Sequence, residues 1–293
     1  MGIKDIVEKL RCPDCGSKLR FNIKRVDCVH CQKHFPYNDN YIDLMPSRPL
    51  QLRHVYSNRA FEKYYLRAFL TKGWVGYKNP TAWGRLEESS RGYRVFVREE
   101  EKFIRSLYMK KSGAKIEYFC DLSGGAGYYT FQASRHCKCV FHCDINQEFL
   151  EYCHGKARKK KINNIIFVRA DYFSLPFENN LLDVVVSNDS LIYYGWKNDR
   201  KVIEGVVKKL TTNGHFIFDL HHKKWYAPDR KIYEYSKMGA EKLTKGLKST
   251  KTRIYPFGRL PTLTIRNQSF FEISNLFFWM PAIRYVCDLV KLG

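Results

Sequence analysis

Residues Glu117–Thr130 read EYFCDLSGGAGYYT, and their order decides the fold. An apolar run ends on an acid, Asp121. A glycine-rich turn follows with Gly124, Gly125 and Gly127, and a helix-like stretch then begins. Strand, tight loop and helix N-terminus in that order hold a nucleotide-like cofactor at the edge of a parallel sheet. Glycine lets the backbone approach such a ligand closely. Two more acids stand at the same place after their own apolar runs. Asp144 ends CVFHCD, 23 residues after Asp121, where a carboxylate accepts both hydroxyls of a ribose. Asp171 follows the run that opens IIFVRADYFSLPF.

Taken together, these residues resemble the class I S-adenosylmethionine-dependent methyltransferases. Their first motif has an acid, an apolar residue and three alternating glycines; here it reads DLSGGAG, with Ser123 in the first glycine place. Asp144 matches the acid after the second strand, and Asp171, Leu175, Pro176 and Phe177 match the D-x-x-x-L-P-F after the third. LLDVVVSNDSLIYYG matches the fourth strand, and KVIEGVVKKLTTNGHFIFDL the following helix, Asn-Gly turn and fifth strand. Dehydrogenases favour G-x-G-x-x-G, which this loop lacks. The resemblance implies an α/β fold, a Rossmann-like seven-stranded sheet, and S-adenosyl-L-methionine as cofactor. It assigns Ser123, Gly124, Gly125 and Gly127 to the methionine and ribose side, and Asp144 with Ile145 to the ribose. Asp171 takes the adenine amine, Tyr172 stacks beside it, and Asn188 holds the methionine portion or faces the acceptor. Asp121 has two readings: it contacts the cofactor through water, or it orients the loop through backbone amides. On the acceptor side the resemblance points to Asp189, Tyr193 and Tyr194 after the fourth strand. His221 and His222 follow the fifth strand, and a histidine there titrates in the range a general base needs.

Near the N-terminus, Cys12 and Cys15 form CPDC, and Cys28 and Cys31 form CVHC. Two C-x-x-C knuckles joined by a short hairpin place four thiolates at tetrahedral corners around Zn²⁺. A closed four-cysteine site stabilises folding and leaves no position for catalysis. Other cysteines are scattered, such as Cys120, Cys139, Cys143 and Cys287, and several of these fall in strand-like runs, where a free thiol packs as a small apolar group. That usage suits a reducing, cytoplasmic compartment.

The expected organisation is a zinc ribbon over residues 1–46, a helical linker and acceptor cap over 47–112, the cofactor-binding core over 113–222, and a basic and apolar C-terminal region over 223–293. The linker offers Tyr64, Trp74, Tyr77, Trp83 and Arg85 to the acceptor pocket, or to the core. KARKKKI, at the end of the second core helix, reads as a solvated face. Residues 223–266 hold twelve Lys or Arg against three Asp or Glu, and FFEISNLFFWMPAIRYVCDLV follows. Basic beside aromatic-rich sequence describes an element lying in a membrane surface; the same residues also describe a last strand packed on the sheet. No run of roughly eighteen apolar residues is free of charge, so a spanning helix is not expected.

The formal net charge of +22 favours anionic partners: a membrane surface, a phosphorylated or lipid-linked substrate, or nucleic acid. Three functions follow. The first is methylation of a small-molecule, glycan or lipid-linked acceptor, peripherally at the inner membrane surface. The second is RNA methylation, since a zinc ribbon joined to such a core resembles enzymes that modify a guanine in ribosomal RNA. The third is a cofactor-binding scaffold without turnover.

Overall fold

The structure, a computed structural model, describes residues 3–38, 40–49, 91–109, 116–188, 190–191, 195–222, 235–259 and 282–293. Its N-terminal module starts with helix α1 (Ile3–Val7). Strands β1 (Leu19–Asn22), β2 (Arg25–Cys28) and β3 (His34–Pro36) then form an antiparallel sheet in that order. Strand β4 (Ile42–Asp43) leaves this hairpin and joins the main sheet instead.

After helix α2 (Arg91–Met109), strands and helices alternate: β5 (Tyr118–Leu122), α3 (Tyr128–Ala133), β6 (Cys139–Asp144), α4 (Gln147–Lys159), β7 (Ile165–Arg169), β8 (Leu182–Ser187), α5 (Trp196–Lys209) and β9 (Leu210–His221). Helix α6 (Lys237–Thr244) and strands β10 (Thr250–Arg259) and β11 (Ala282–Lys291) close the chain. The sheet runs β10-β11-β9-β8-β5-β6-β7-β4, eight strands where seven were expected, because β4 of the N-terminal module adds to the edge at β7. Its β9-β8-β5-β6-β7-β4 portion is parallel; β11 is antiparallel to β9, and β10 to β11.

Period-two alternation assigns each strand residue to one of two covered faces. Cys120, Leu122, Phe141, Cys143, Val185, Phe216 and Phe218 face a core with α5, α6 and the N-terminal module. Phe119, Val140, Val184, Val186, Ile217 and Val286 face α2, α3 and α4. Burial on both sides explains why β6 is buried at every position. The N-terminal module shares this interior: Ile6, Leu10, Val26, Phe35 and Ile42 lie in one cluster with Phe141 and Phe177. Each buried Leu or Phe side chain of this kind contributes roughly 1.5–3 kcal/mol.

The C-terminal apolar stretch is interior from residue 284 to 290, where β11 inserts between β9 and β10. Packing on the sheet accounts for that part of it. The Asn-Gly turn expected before the fifth strand is a left-handed residue, Asn213 at φ 64°, within β9 itself. Among the described residues no helix is long and apolar enough to cross a membrane.

Candidate cofactor and acceptor site

The described candidate residues gather where the parallel strands end at their C-terminal rim, the place an open α/β sheet offers to ligands. The loop after β5 is folded down onto β6. Gly124 N–H donates to the Cys143 carbonyl at 3.0 Å, and Gly125 N–H to Asp144 Oδ2 at 2.9 Å. Gly124 is required by proximity: a Cβ there would stand 2.4 Å from the His142 ring and 3.0 Å from Asp121 Oδ2. Gly125 is required by conformation, at φ +49°, and a Cβ on it would meet nothing within 4 Å. Ser123, in the first glycine place, adopts φ 62° despite its side chain.

Asp121 makes the backbone-amide contact that its orienting reading expects. Its Oδ2 accepts from Thr130 N–H at 2.8 Å and from the Thr130 hydroxyl at 2.5 Å, which fixes the first turn of α3. Because the Thr130 proton goes to Asp121, the 2.7 Å contact to His142 Nδ1 makes that nitrogen the donor to Thr130 Oγ1. Burial pushes Asp121 up to about 6, against the Thr130 hydrogen bonds. Burial also holds His142 down to about 3, so its ring is neutral under the loop.

Asp144 lies at the end of β6. It accepts from Gly125 N–H through one oxygen and from Asn146 N–H at 2.8 Å through the other. Burial raises it to about 6, and the amides of Asn146, Gly125 and Ile145 oppose that rise. Asp171 caps the short 3-10 turn Tyr172–Ser174 by accepting from Phe173 N–H at 2.8 Å. Tyr172, assigned to adenine stacking by the resemblance, is 2% exposed. Its hydroxyl donates to the Leu122 carbonyl at 3.0 Å and meets Ser187 Oγ at 3.0 Å, tying the ends of β5 and β8 together.

Where the resemblance places the acceptor, an ion network was not anticipated. Arg284 lies opposite His221 in the β11–β9 register, which sets Asp219 diagonally across from it on the same face. Arg284 Nη1 is 3.0 Å from Asp219 Oδ2, 3.2 Å from Glu100 Oε1 and 3.5 Å from Asn188 Oδ1. The Tyr129 hydroxyl donates to Glu100 Oε2 at 3.3 Å. Glu100, Asp219 and Arg284 are all buried. His221 Nε2 is 3.9 Å from Asp219 Oδ2, whereas the His222 ring packs against Tyr285. Asp219 carried the same signal as the other three acids, since it ends the apolar run HFIFD. Arg284 and Glu100 carried none. Asp189, Tyr193 and Tyr194 lie outside the described residues, as do Tyr64, Trp74, Tyr77, Trp83 and Arg85.

The four N-terminal cysteines converge as their spacing predicts. Cys12, Cys15, Cys28 and Cys31 bring their sulfurs within 4.8 Å of one another. The Cys12–Cys31 and Cys15–Cys28 sulfurs are 3.7 and 3.5 Å apart. Tetrahedral thiolates at the usual Zn–S bond length of about 2.3 Å stand about 3.8 Å apart, so the donor set fits the ion.

Residues 114–259 match the sequence family described as "Methyltransferase domain". An uncharacterized methyltransferase of Bacillus subtilis, YcgJ, is 24% identical over 157 residues, which are 53% of this chain and 58% of that protein. Among solved structures, the N-methyltransferase NodS of Bradyrhizobium japonicum, in complex with S-adenosylhomocysteine, superposes with a TM-score of 0.50 at 16% identity. That match covers 68% of this chain and 88% of the other. The PH0226 protein of Pyrococcus horikoshii gives 0.50 at 17% identity, over 67% and 91%. With the strand order above, these findings show a Rossmann-like fold shared with solved methyltransferases, and a region, residues 114–259, that matches a methyltransferase-domain family.

Proposed function

We propose that this protein transfers a methyl group from S-adenosylmethionine to a small-molecule acceptor, free or linked to a glycan or lipid. The observation that carries this reading is the buried network of Glu100, Arg284, Asp219 and Asn188 on the acceptor side. It is closed by α2, which descends from the strand rim at Glu100 to Tyr108 against Phe119. Two carboxylates face one guanidinium, so the network suits an acceptor that brings a hydroxyl or amine donor.

The bound cofactor supplies an electrophilic methyl group. The chain supplies position, which can account for most of the rate of an in-line displacement. Asp144 would turn from Gly125 and Asn146 to the ribose hydroxyls, Asp171 would accept from the adenine amine, and Asn188 would hold the methionine portion or face the acceptor. His221, next to Asp219, is the base within reach if the acceptor must lose a proton. Zn²⁺ on Cys12, Cys15, Cys28 and Cys31 belongs to the same reading, as a structural ion.

The net charge of +22 supports a second reading, RNA methylation. It equally suits an acceptor that carries phosphate or sits in an anionic membrane surface. One experiment separates them. Protein and methyl-labelled cofactor are incubated with small-molecule, lipid and RNA fractions of a cell extract. Label in the small-molecule or lipid fraction supports the proposal. Label confined to RNA overturns it in favour of the second reading. Tight cofactor binding with no label anywhere leaves the non-catalytic scaffold.

A further inference from the structure

We propose that Arg169 is a positioning residue through which the N-terminal module holds the adenosine end of the cofactor site. It stands at the end of β7, two residues before Asp171. Its guanidinium reaches two ways. Nη1 donates to Asp43 Oδ2 at 3.0 Å, and Nε donates to the Ile145 carbonyl at 3.0 Å. Asp43 belongs to β4 of the N-terminal module; Ile145 directly follows Asp144. One side chain therefore joins the added module to the turn that carries the ribose-binding acid.

The backbone reinforces this at both ends of the segment from Arg169 to Glu178. At one end β4 pairs with β7, Ile42 with Val168 and Asp43 with Arg169, and Leu44 N–H donates to the Arg169 carbonyl at 2.9 Å. At the other end Leu10 bridges to Phe177. Arg11 N–H donates to the Pro176 carbonyl at 3.0 Å, and Glu178 N–H to the Lys9 carbonyl at 3.0 Å. The Arg11 and Glu178 side chains pair beside these bonds. Asp171 and its turn hang between the two tethers. A loop fixed at both ends has less freedom to lose when it orders on a ligand, so it binds more tightly.

The test uses the full-length, metal-loaded protein and two variants, Arg169→Gln and Asp43→Asn. Calorimetric titration measures affinity for S-adenosylhomocysteine and for 5′-methylthioadenosine, which keeps the adenosine and lacks the amino acid. Coupling of this kind is worth about twofold to thirtyfold in affinity. Both variants should weaken both ligands by the same factor within that range, with zinc content and melting temperature unchanged. Combining the two substitutions should add little, because both cut one connection. Asp43→Asn removes the charge that Arg169 meets and keeps the shape, so it serves should Arg169→Gln fold poorly. Wild-type affinity in Asp43→Asn overturns the proposal, as does weakening of S-adenosylhomocysteine alone. Failure of the wild-type protein to bind either ligand removes the cofactor site itself, and the proposal with it.

Discussion

At the scale of single residues, the glycine loop separates two reasons for lacking a side chain. Gly124→Ala forces a methyl group into the buried His142 ring at 2.4 Å, and neither partner has room to yield. Overpacking of this severity costs about 3 kcal/mol. Gly125→Ala meets no atom within 4 Å and carries only the strain of its φ of +49°, about 1–2 kcal/mol. Chemical denaturation of the two variants should rank them in that order; equal losses would contradict the geometry. Asp144 makes a second prediction. Its pKa near 6 lies close to working pH, and only its ionised form accepts strongly from two ribose hydroxyls. Affinity for S-adenosylhomocysteine should hold above pH 7 and decline as pH falls through about 6. Asp144→Asn should weaken binding by about tenfold or more and remove that pH dependence, since a hydrogen bond to a charged group is worth about 1.5–3 kcal/mol. A titration series from pH 5 to 8 checks both. These acids were legible in the sequence because each ends an apolar run next to a turn. The role of Tyr172 was not legible, since whether an aromatic ring stacks on a ligand or ties two strands together depends on neighbours that local sequence does not specify.

At the scale of elements, two buried polar contacts join pieces of chain far apart. Arg284 on β11 joins α2 through Glu100 to β9 through Asp219. Arg284→Met would leave two buried carboxylates without their guanidinium, which costs about 3–5 kcal/mol. Adding Glu100→Gln removes one of the stranded charges, so the double variant should recover part of the loss in urea denaturation; strictly additive losses would mean the network is not coupled. Asp199 on α5 is the other case. It is fully buried against the Tyr235 hydroxyl, and burial pushes its pKa from 3.8 up to about 8. A raised carboxyl favours the fold while both states are protonated, below about pH 4. That advantage is lost progressively from about pH 4, where the unfolded carboxyl ionises, and is gone once pH passes about 8, where folding must bury the charge. Asp199→Asn should therefore flatten the decline in melting temperature between pH 4 and 8; parallel curves for variant and wild type would refute the assignment. Neither contact was readable in advance. Both depend on where β11 and residue 235 return to the sheet, and an apolar run interrupted by Arg284 describes a membrane-surface element as well as a strand.

At the scale of the molecule, the sequence marks the N-terminal module as a separate unit by its cysteine spacing, yet the packing is continuous. A two-residue strand such as β4 has no periodicity to announce it, and its pairing with β7 arises only when the hairpin docks. Ile6, Leu10, Phe35 and Ile42 share one interior with Phe141 and Phe177 on the main sheet. The two parts should therefore not melt independently. A four-thiolate site couples metal binding to folding, so stripping the ion destabilises the knuckles at Cys12 and Cys28, both of which are buried. In a detached module that loss would appear as a small early transition while the main one stayed in place. Here the knuckles hold α1 and β4 against Phe177 and β7, so their loss exposes the edge of the large sheet as well. Scanning calorimetry of the metal-loaded and chelator-treated protein should show one main transition moved to lower temperature. An unmoved main transition, preceded by a separate small one, would show that the module is carried by the sheet without supporting it.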